Sequence, residues 1–174
     1  MNLSTTTITT ARLTLIPVNK QYANDIFREL TPTVATYLSF DPTGKIEDIH
    51  AFITKAQINM KRGKEMPVVV IDTATKEFIG CAGIHKIHTS KSELGIWLKQ
   101  SAHKQGYGKE VIRGLIDWAG KNLKFEFLTY PVAKANTPSR KLVESLGGVA
   151  VEEKMVTSPS GKILEEVIYR IYHD

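Results

Sequence analysis

The sequence predicts one mixed α/β domain, and three observations predict it. Strand-like and helix-like patterns alternate along the whole chain. The 174 residues suit one domain of ordinary size, and a 42% hydrophobic content can build a core without disulfide or metal staples. No repeat, low-complexity tract or linker-like stretch divides the chain, so residues 1–174 read as one domain.

The elements follow in order. Residues 11–17 alternate apolar and polar side chains, with Leu13 and Leu15 on one face, and stop at Pro17: a first strand. Residues 19–30 place Tyr22, Ile26, Phe27 and Leu30 at helical spacing, and Thr31-Pro32 ends that helix. Residues 34–40 fit no single pattern, and 41–44 form a loop. From 46 to 61, Ile49, Phe52, Ile53, Ala56 and Met60 make an amphipathic helix closed by Gly63. Residues 68–72 and 78–87 read as a hairpin around the turn 73–76, and 92–99 as the next strand. That strand alternates Leu94, Ile96 and Leu98 with Glu93, Gly95 and Trp97. A helical stripe follows at Val111, Ile112, Leu115, Ile116 and Ala119. Residues 125–132 read as a strand and 138–146 as a helix ended by Gly147-Gly148. Residues 149–156 and 163–172 close as a hairpin on the turn 158–161.

Composition narrows the function classes. A single cysteine, Cys81, excludes an intramolecular disulfide and suits a reducing cytoplasm. It lies in an apolar run, as a small core side chain does. The N-terminus lacks the basic and apolar regions of a signal peptide, and no apolar run approaches the ~20 residues of a membrane span. A soluble, cytoplasmic protein is expected, with no membrane partner. The net charge of +5 is modest and shows no basic stripe interleaved with aromatics, so no nucleic-acid partner is expected. His85 and His88 form His-x-x-His, but strand residues three apart face opposite sides and no further ligand completes a set. No metal is expected. His50 and His173 have no nameable partner.

The informative junction lies between Leu94 and Val111. A strand runs into His103-Lys104-Gln105-Gly106-Tyr107-Gly108 and then into an amphipathic helix. The first amides of a helix lack intrahelical partners, and its dipole favours an anion there. The glycines let a phosphate approach the backbone, and Lys104 and Lys109 add charge. The turn is neither a nucleotide-triphosphate loop nor a dinucleotide fingerprint. By itself it supports only an anion at a helix start.

Three segments together resemble the GNAT acetyltransferase superfamily, and more closely its ribosomal-protein N-acetyltransferase-like branch. They are Glu93-Leu94-Gly95-Ile96-Trp97-Leu98, then Gly106-Tyr107-Gly108-Lys109-Glu110, then Asn136-Thr137-Pro138-Ser139 with Leu142 and Gly147. Arg12-Leu13-Thr14-Leu15 is similar to that branch as well. Two positions depart from the pattern: His103, where the family usually has Gln or Arg, and Gly148, where it usually has Phe.

The resemblance implies a GNAT-like α/β domain. Its mixed, mostly antiparallel sheet would have about seven strands, splayed between the fourth and fifth, with about four flanking helices. It also implies acetyl-CoA as co-substrate. The pyrophosphate would rest on His103, Lys104, Gln105, Gly106, Tyr107, Gly108 and Lys109. The pantetheine arm would enter the splay near Trp97, Leu98, Asn136 and Ser139 like an added strand, with Asn136 hydrogen-bonding either it or the backbone as a cap. Backbone amides near Trp97 and Leu98 would bind the thioester oxygen. An amine would attack directly, with no covalent enzyme intermediate.

An ammonium must lose a proton to attack, and the thiolate must be stabilised. Glu93 is the first candidate base, with Glu152 and Glu153 as rivals; a solvent-facing strand glutamate is the alternative reading of Glu93. Ser139 is the first candidate acid, acting chiefly by a hydrogen bond to the sulfur because a serine hydroxyl is a poor acid, with helix capping as its alternative, and Tyr130 is a lesser candidate. Arg140 and Lys141 read as an exposed helix face or as phosphate ligands. The acceptor is expected to be a primary amine, a protein N-terminus or a small molecule. A homodimer is open, as is a non-catalytic acyl-CoA-binding module.

Overall fold

The computed structural model describes residues 1–173. Among these, eight strands form one sheet in the order β1-β2-β3-β4-β5-β6-β8-β7. The strands are β1 (Ile8–Thr9), β2 (Leu13–Pro17), β3 (Met66–Asp72), β4 (Phe78–His85), β5 (Glu93–Leu98), β6 (Phe127–Ala133), β7 (Val149–Thr157) and β8 (Ile163–Tyr172). Four α-helices flank them: α1 (Ala23–Glu29), α2 (Ile46–Lys61), α3 (Tyr107–Asn122) and α4 (Thr137–Ser145). Every neighbouring pair is antiparallel except β5 and β6, which are parallel.

Local physics explains the differences from the expected elements. The sheet gains β1, a two-residue strand too short to carry a period. The first helix opens later than residue 19. Asn19 accepts a hydrogen bond from the Gln21 amide and starts a 3-10 turn at Lys20–Tyr22 before α1. The unassigned stretch after residue 34 is another 3-10 turn, Val34–Tyr37.

The core is continuous across the sheet. Leu13, Leu15, Val69, Val70, Ile84 and Leu94 are fully buried, as are Ile112 and Leu115 on α3. Each such side chain contributes ~1.5–3 kcal/mol by leaving water. Leu3 joins them, tied down by its amide donating to the Met60 carbonyl at 2.9 Å.

Gly148 is explained by the end of α4. A Cβ there would sit 2.8 Å from the Val143 carbonyl oxygen and 2.7 Å from its side chain. The Gly148 amide donates to that carbonyl at 2.9 Å, so the chain reverses too tightly for phenylalanine.

Candidate active site

β5 and β6 share a single ladder bridge, Glu93 with Thr129. The Thr129 amide donates to the Ser92 carbonyl at 2.9 Å, and beyond this point the two strands part. The gap opens toward their C-terminal ends. It has two faces, and the residues expected at the site divide between them.

The turn lies past the end of β5. Gly106 caps α3 in the left-handed region, with φ of 77°, and Lys104 also has positive φ, at 61°. These dihedrals fold the backbone tightly against the start of a sixteen-residue helix. Lys104 and Lys109 are exposed there, and Gln105 donates its side-chain amide to the Ser101 carbonyl at 2.8 Å. His103 is not aimed away from the protein: its Nε2 donates to the Leu98 carbonyl at 2.9 Å and ties the turn to β5. The substitution of the usual residue thus serves to position the loop.

A clamp from the start of the chain fixes the same turn. Arg12 donates to the Gln105 carbonyl at 3.0 Å and stacks 4.3 Å from the centre of the Tyr107 ring. Its Nε also pairs with Glu110 at 2.8 Å. Glu110 further accepts from the Arg12 amide at 2.9 Å and from Thr10 Oγ1 at 2.5 Å. Burial pushes the Glu110 carboxyl up, but these hydrogen bonds and the Arg12 charge together hold it below its usual range.

On the helix side of the gap, Gly108 lies against Leu98 and Leu142, where a Cβ would meet Leu142 at 2.8 Å. Asn136 caps α4 by accepting from the Ser139 amide at 3.3 Å. Capping is therefore done by Asn136, and the Ser139 hydroxyl is left to hydrogen-bond Tyr130 Oη at 2.7 Å. Tyr130 is 2% exposed, and burial raises its phenol pKa, with the Ser139 hydrogen bond opposing the rise.

The opposite face of the gap is a cleft of about 380 Å³. Register puts Cys81, His85, Glu93, Gly95 and Trp97 on this face, as paired residues across β4 and β5. Glu93 thus lines the cleft rather than facing away, and Lys86 pairs with its carboxylate at 2.8 Å. Trp97 packs against Phe78, with ring centres 6.0 Å apart. Cys81 is half-buried on the floor, where desolvation pushes its thiol pKa up, away from that of a nucleophile. Tyr37, Phe40 and Phe52 form the roof.

Glu166 also lines this cleft. No motif announces it in the sequence; it is one acidic residue in the closing hairpin. Its burial, at 8% exposed, comes only from the fold. Glu152 and Glu153 are exposed and do not line the cleft, and Glu153 pairs with Lys134 at 3.1 Å. Arg140 is engaged away from the turn, donating to Tyr169 Oη at 3.1 Å and to the Lys134 carbonyl at 3.2 Å. Lys141 is exposed. His85 is hydrogen-bonded through Nδ1 to Glu65 at 3.0 Å, and the described residues hold no group of three His, Cys, Asp or Glu side chains arranged for a metal. No helix among them is long and apolar enough to cross a membrane.

Comparison with known proteins agrees with this architecture. The family model of the acetyltransferase (GNAT) domain matches residues 12–149. An uncharacterized N-acetyltransferase, p20 of Bacillus licheniformis, is 27% identical over 143 residues, 80% of either protein. A candidate ribosomal-protein-serine acetyltransferase of Vibrio cholerae superposes with a TM-score of 0.81 at 19% identity, covering 99% of both chains. A spermidine N-acetyltransferase of Vibrio cholerae, solved with CoA and spermine, superposes with a TM-score of 0.81 at 18% identity, covering 94% of this chain and 96% of its own. The chain belongs to the GNAT acetyltransferase family and is an N-acetyltransferase that uses acetyl-CoA as its co-substrate.

Proposed function

We propose that the protein transfers the acetyl group of acetyl-CoA to a primary amine seated in the cleft, by direct attack on the thioester. The observation that carries this reading is the β5–β6 splay. It opens beside the α3 turn and the Ser139–Tyr130 pair, and it gives onto a cleft holding carboxylates. In this reading the pyrophosphate lies on the amides of residues 104–109, with His103 holding the turn in place. Leu98 presents its backbone amide to the thioester, the Trp97 backbone being turned toward β4, and Asn136 fixes the start of α4 so that Ser139 meets the sulfur. Glu93 is one of the cleft carboxylates to which an ammonium can come.

The acceptor class follows from the cleft's content. Aromatic walls accompany charges of both signs, Glu93 and Glu166 against Lys86 and Lys154. That mixture suits one ammonium on an apolar stem, as on a protein N-terminus or a small arylalkyl amine, better than a polycation. An amine acceptor is consistent with the spermine bound by the structural relative. The test is release of free CoA thiol with phenethylamine, spermidine, free amino acids and short peptides. Thiol release matched by acetylated amine is expected, fastest with a monoamine or peptide. Binding of acetyl-CoA without turnover on any of them would instead mark a non-catalytic acyl-CoA module.

A further inference from the structure

Two carboxylates reach the cleft, and their surroundings differ. Glu93 already holds the Lys86 ammonium at 2.8 Å. Glu166 is 8% exposed and has no side-chain hydrogen bond or ion pair among the described residues. No fully buried side-chain oxygen or nitrogen lacks a partner there, so the unpartnered Glu166 oxygens open onto the cleft rather than into a sealed core. An unpaired carboxylate shielded from bulk water is costly to keep, and one that lines a cleft is a candidate functional group.

Register fixes where it stands. Glu166 is paired with Ala133 on β6 and Lys154 on β7, and Glu93 with Thr129 on β6. Thr129, Pro131 and Ala133 alternate onto one face of β6, so Glu93 and Glu166 share that face. Glu93 marks the closed end of the splay. Glu166 stands beside its open end, where the two strands have parted. The charged and titratable groups around it are Lys154 from β7, Glu93 from β5, Cys81 and His85 from β4, Lys86 just beyond it, and Tyr37 from the roof.

We propose that Glu166 is the group that accepts the proton of the incoming ammonium, while Glu93, already ion-paired with Lys86, contributes to seating the amine but not to taking its proton. This rests on the acetyl-transfer reading above. The ammonium gives one proton to the Glu166 carboxylate, and the freed lone pair forms the N–C bond to the acetyl carbon. The C–S bond breaks, the sulfur leaves as thiolate beside Ser139 and Tyr130, and it takes the second proton lost by nitrogen. Glu166 then returns its proton to water. Desolvation pushes the Glu166 carboxyl above its usual range; Lys154 opposes this and Glu93 adds to it. That moves the residue toward the pKa a base needs at neutral pH.

The experiment compares wild type, Glu166→Gln, Glu166→Asp and Glu93→Gln with the fastest amine of the panel, as kcat/KM against pH, alongside thermal stabilisation by acetyl-CoA. Glu166→Gln should lower kcat/KM by about 100-fold or more at neutral pH. It should also erase the acidic limb of the profile and leave acetyl-CoA stabilisation intact. Glu166→Asp should recover part of the rate and the limb, and Glu93→Gln should raise KM and keep the limb. If Glu166→Gln retains the limb, or Glu93→Gln is the variant that loses it, the assignment is wrong and acetyl transfer still stands. If Glu166→Gln loses acetyl-CoA stabilisation together with turnover and Glu166→Asp recovers neither, the residue is structural and the assignment falls. If wild type turns over no amine, the acetyl-transfer reading fails and this inference fails with it.

Discussion

At Glu110 three hydrogen bonds converge on one carboxylate: from Thr10, from the Arg12 amide and from the Arg12 guanidinium. The residue lies in the Gly-Tyr-Gly-x-Glu motif, but its work is to anchor the first strands to α3, with no contact to the cleft. Its carboxyl is held below the usual range in the folded chain. The stability it contributes is therefore present above the unfolded pKa and lost as pH falls through the folded one. Glu110→Gln should cost about 1 kcal/mol at neutral pH by removing the charged acceptor of three partly exposed donors. The gap to wild type should close as pH falls below the ordinary glutamate value of about 4.3. Urea unfolding at a series of pH values measures this, and a gap independent of pH would deny the clamp its charge. Motif residues were legible in the sequence because their spacing is local. Roles were less so: the motif singled out Asn136 and Ser139 together, and only the fold shows that Asn136 does the capping and that Ser139 meets Tyr130.

Between elements, the closing hairpin reaches across the cleft to its roof. Lys162, in the β7–β8 turn, pairs with Asp41 at 2.8 Å and donates to the Ala35 carbonyl at 2.8 Å; Ser160 also donates to Asp41. The hydrogen bond from Lys162, with that from Ser160, holds the Asp41 carboxyl below its usual range. These contacts hold the segment carrying Tyr37 and Phe40 over the cleft. Lys162→Ala should raise KM for the amine several-fold, change kcat less, and leave acetyl-CoA stabilisation as it was. Steady-state kinetics on both substrates checks this, and a loss confined to acetyl-CoA binding would mean that the hairpin serves the other face. The elements themselves were largely readable. The α2 period over residues 46–61 and the β8 span match the observed bounds, because long amphipathic patterns leave little choice. The 3-10 start before α1 and the two-residue β1 escaped, since a capping contact and a tertiary pairing decide them rather than a period.

Over the whole molecule, the sheet brings together residues far apart in the chain. Tyr37, Glu93 and Glu166 line one cleft although no local spacing connects them, which is why Glu166 could not be read as a site residue. The order of strands put a parallel pair at the centre of an otherwise antiparallel sheet, and that pair is the one that splays. The turn proposed for the cofactor and the cleft proposed for the acceptor thus both lie beside the parting of β5 and β6. The claim that acetyl-CoA occupies this break is tested most directly by titrating it into isotope-labelled protein and following backbone amide resonances. The expected result is saturable shifts at residues 104–109, at Trp97 and Leu98, and at Asn136 and Ser139, with β7 unmoved. Saturable shifts confined to other surfaces, or none at saturating acetyl-CoA, would contradict the account.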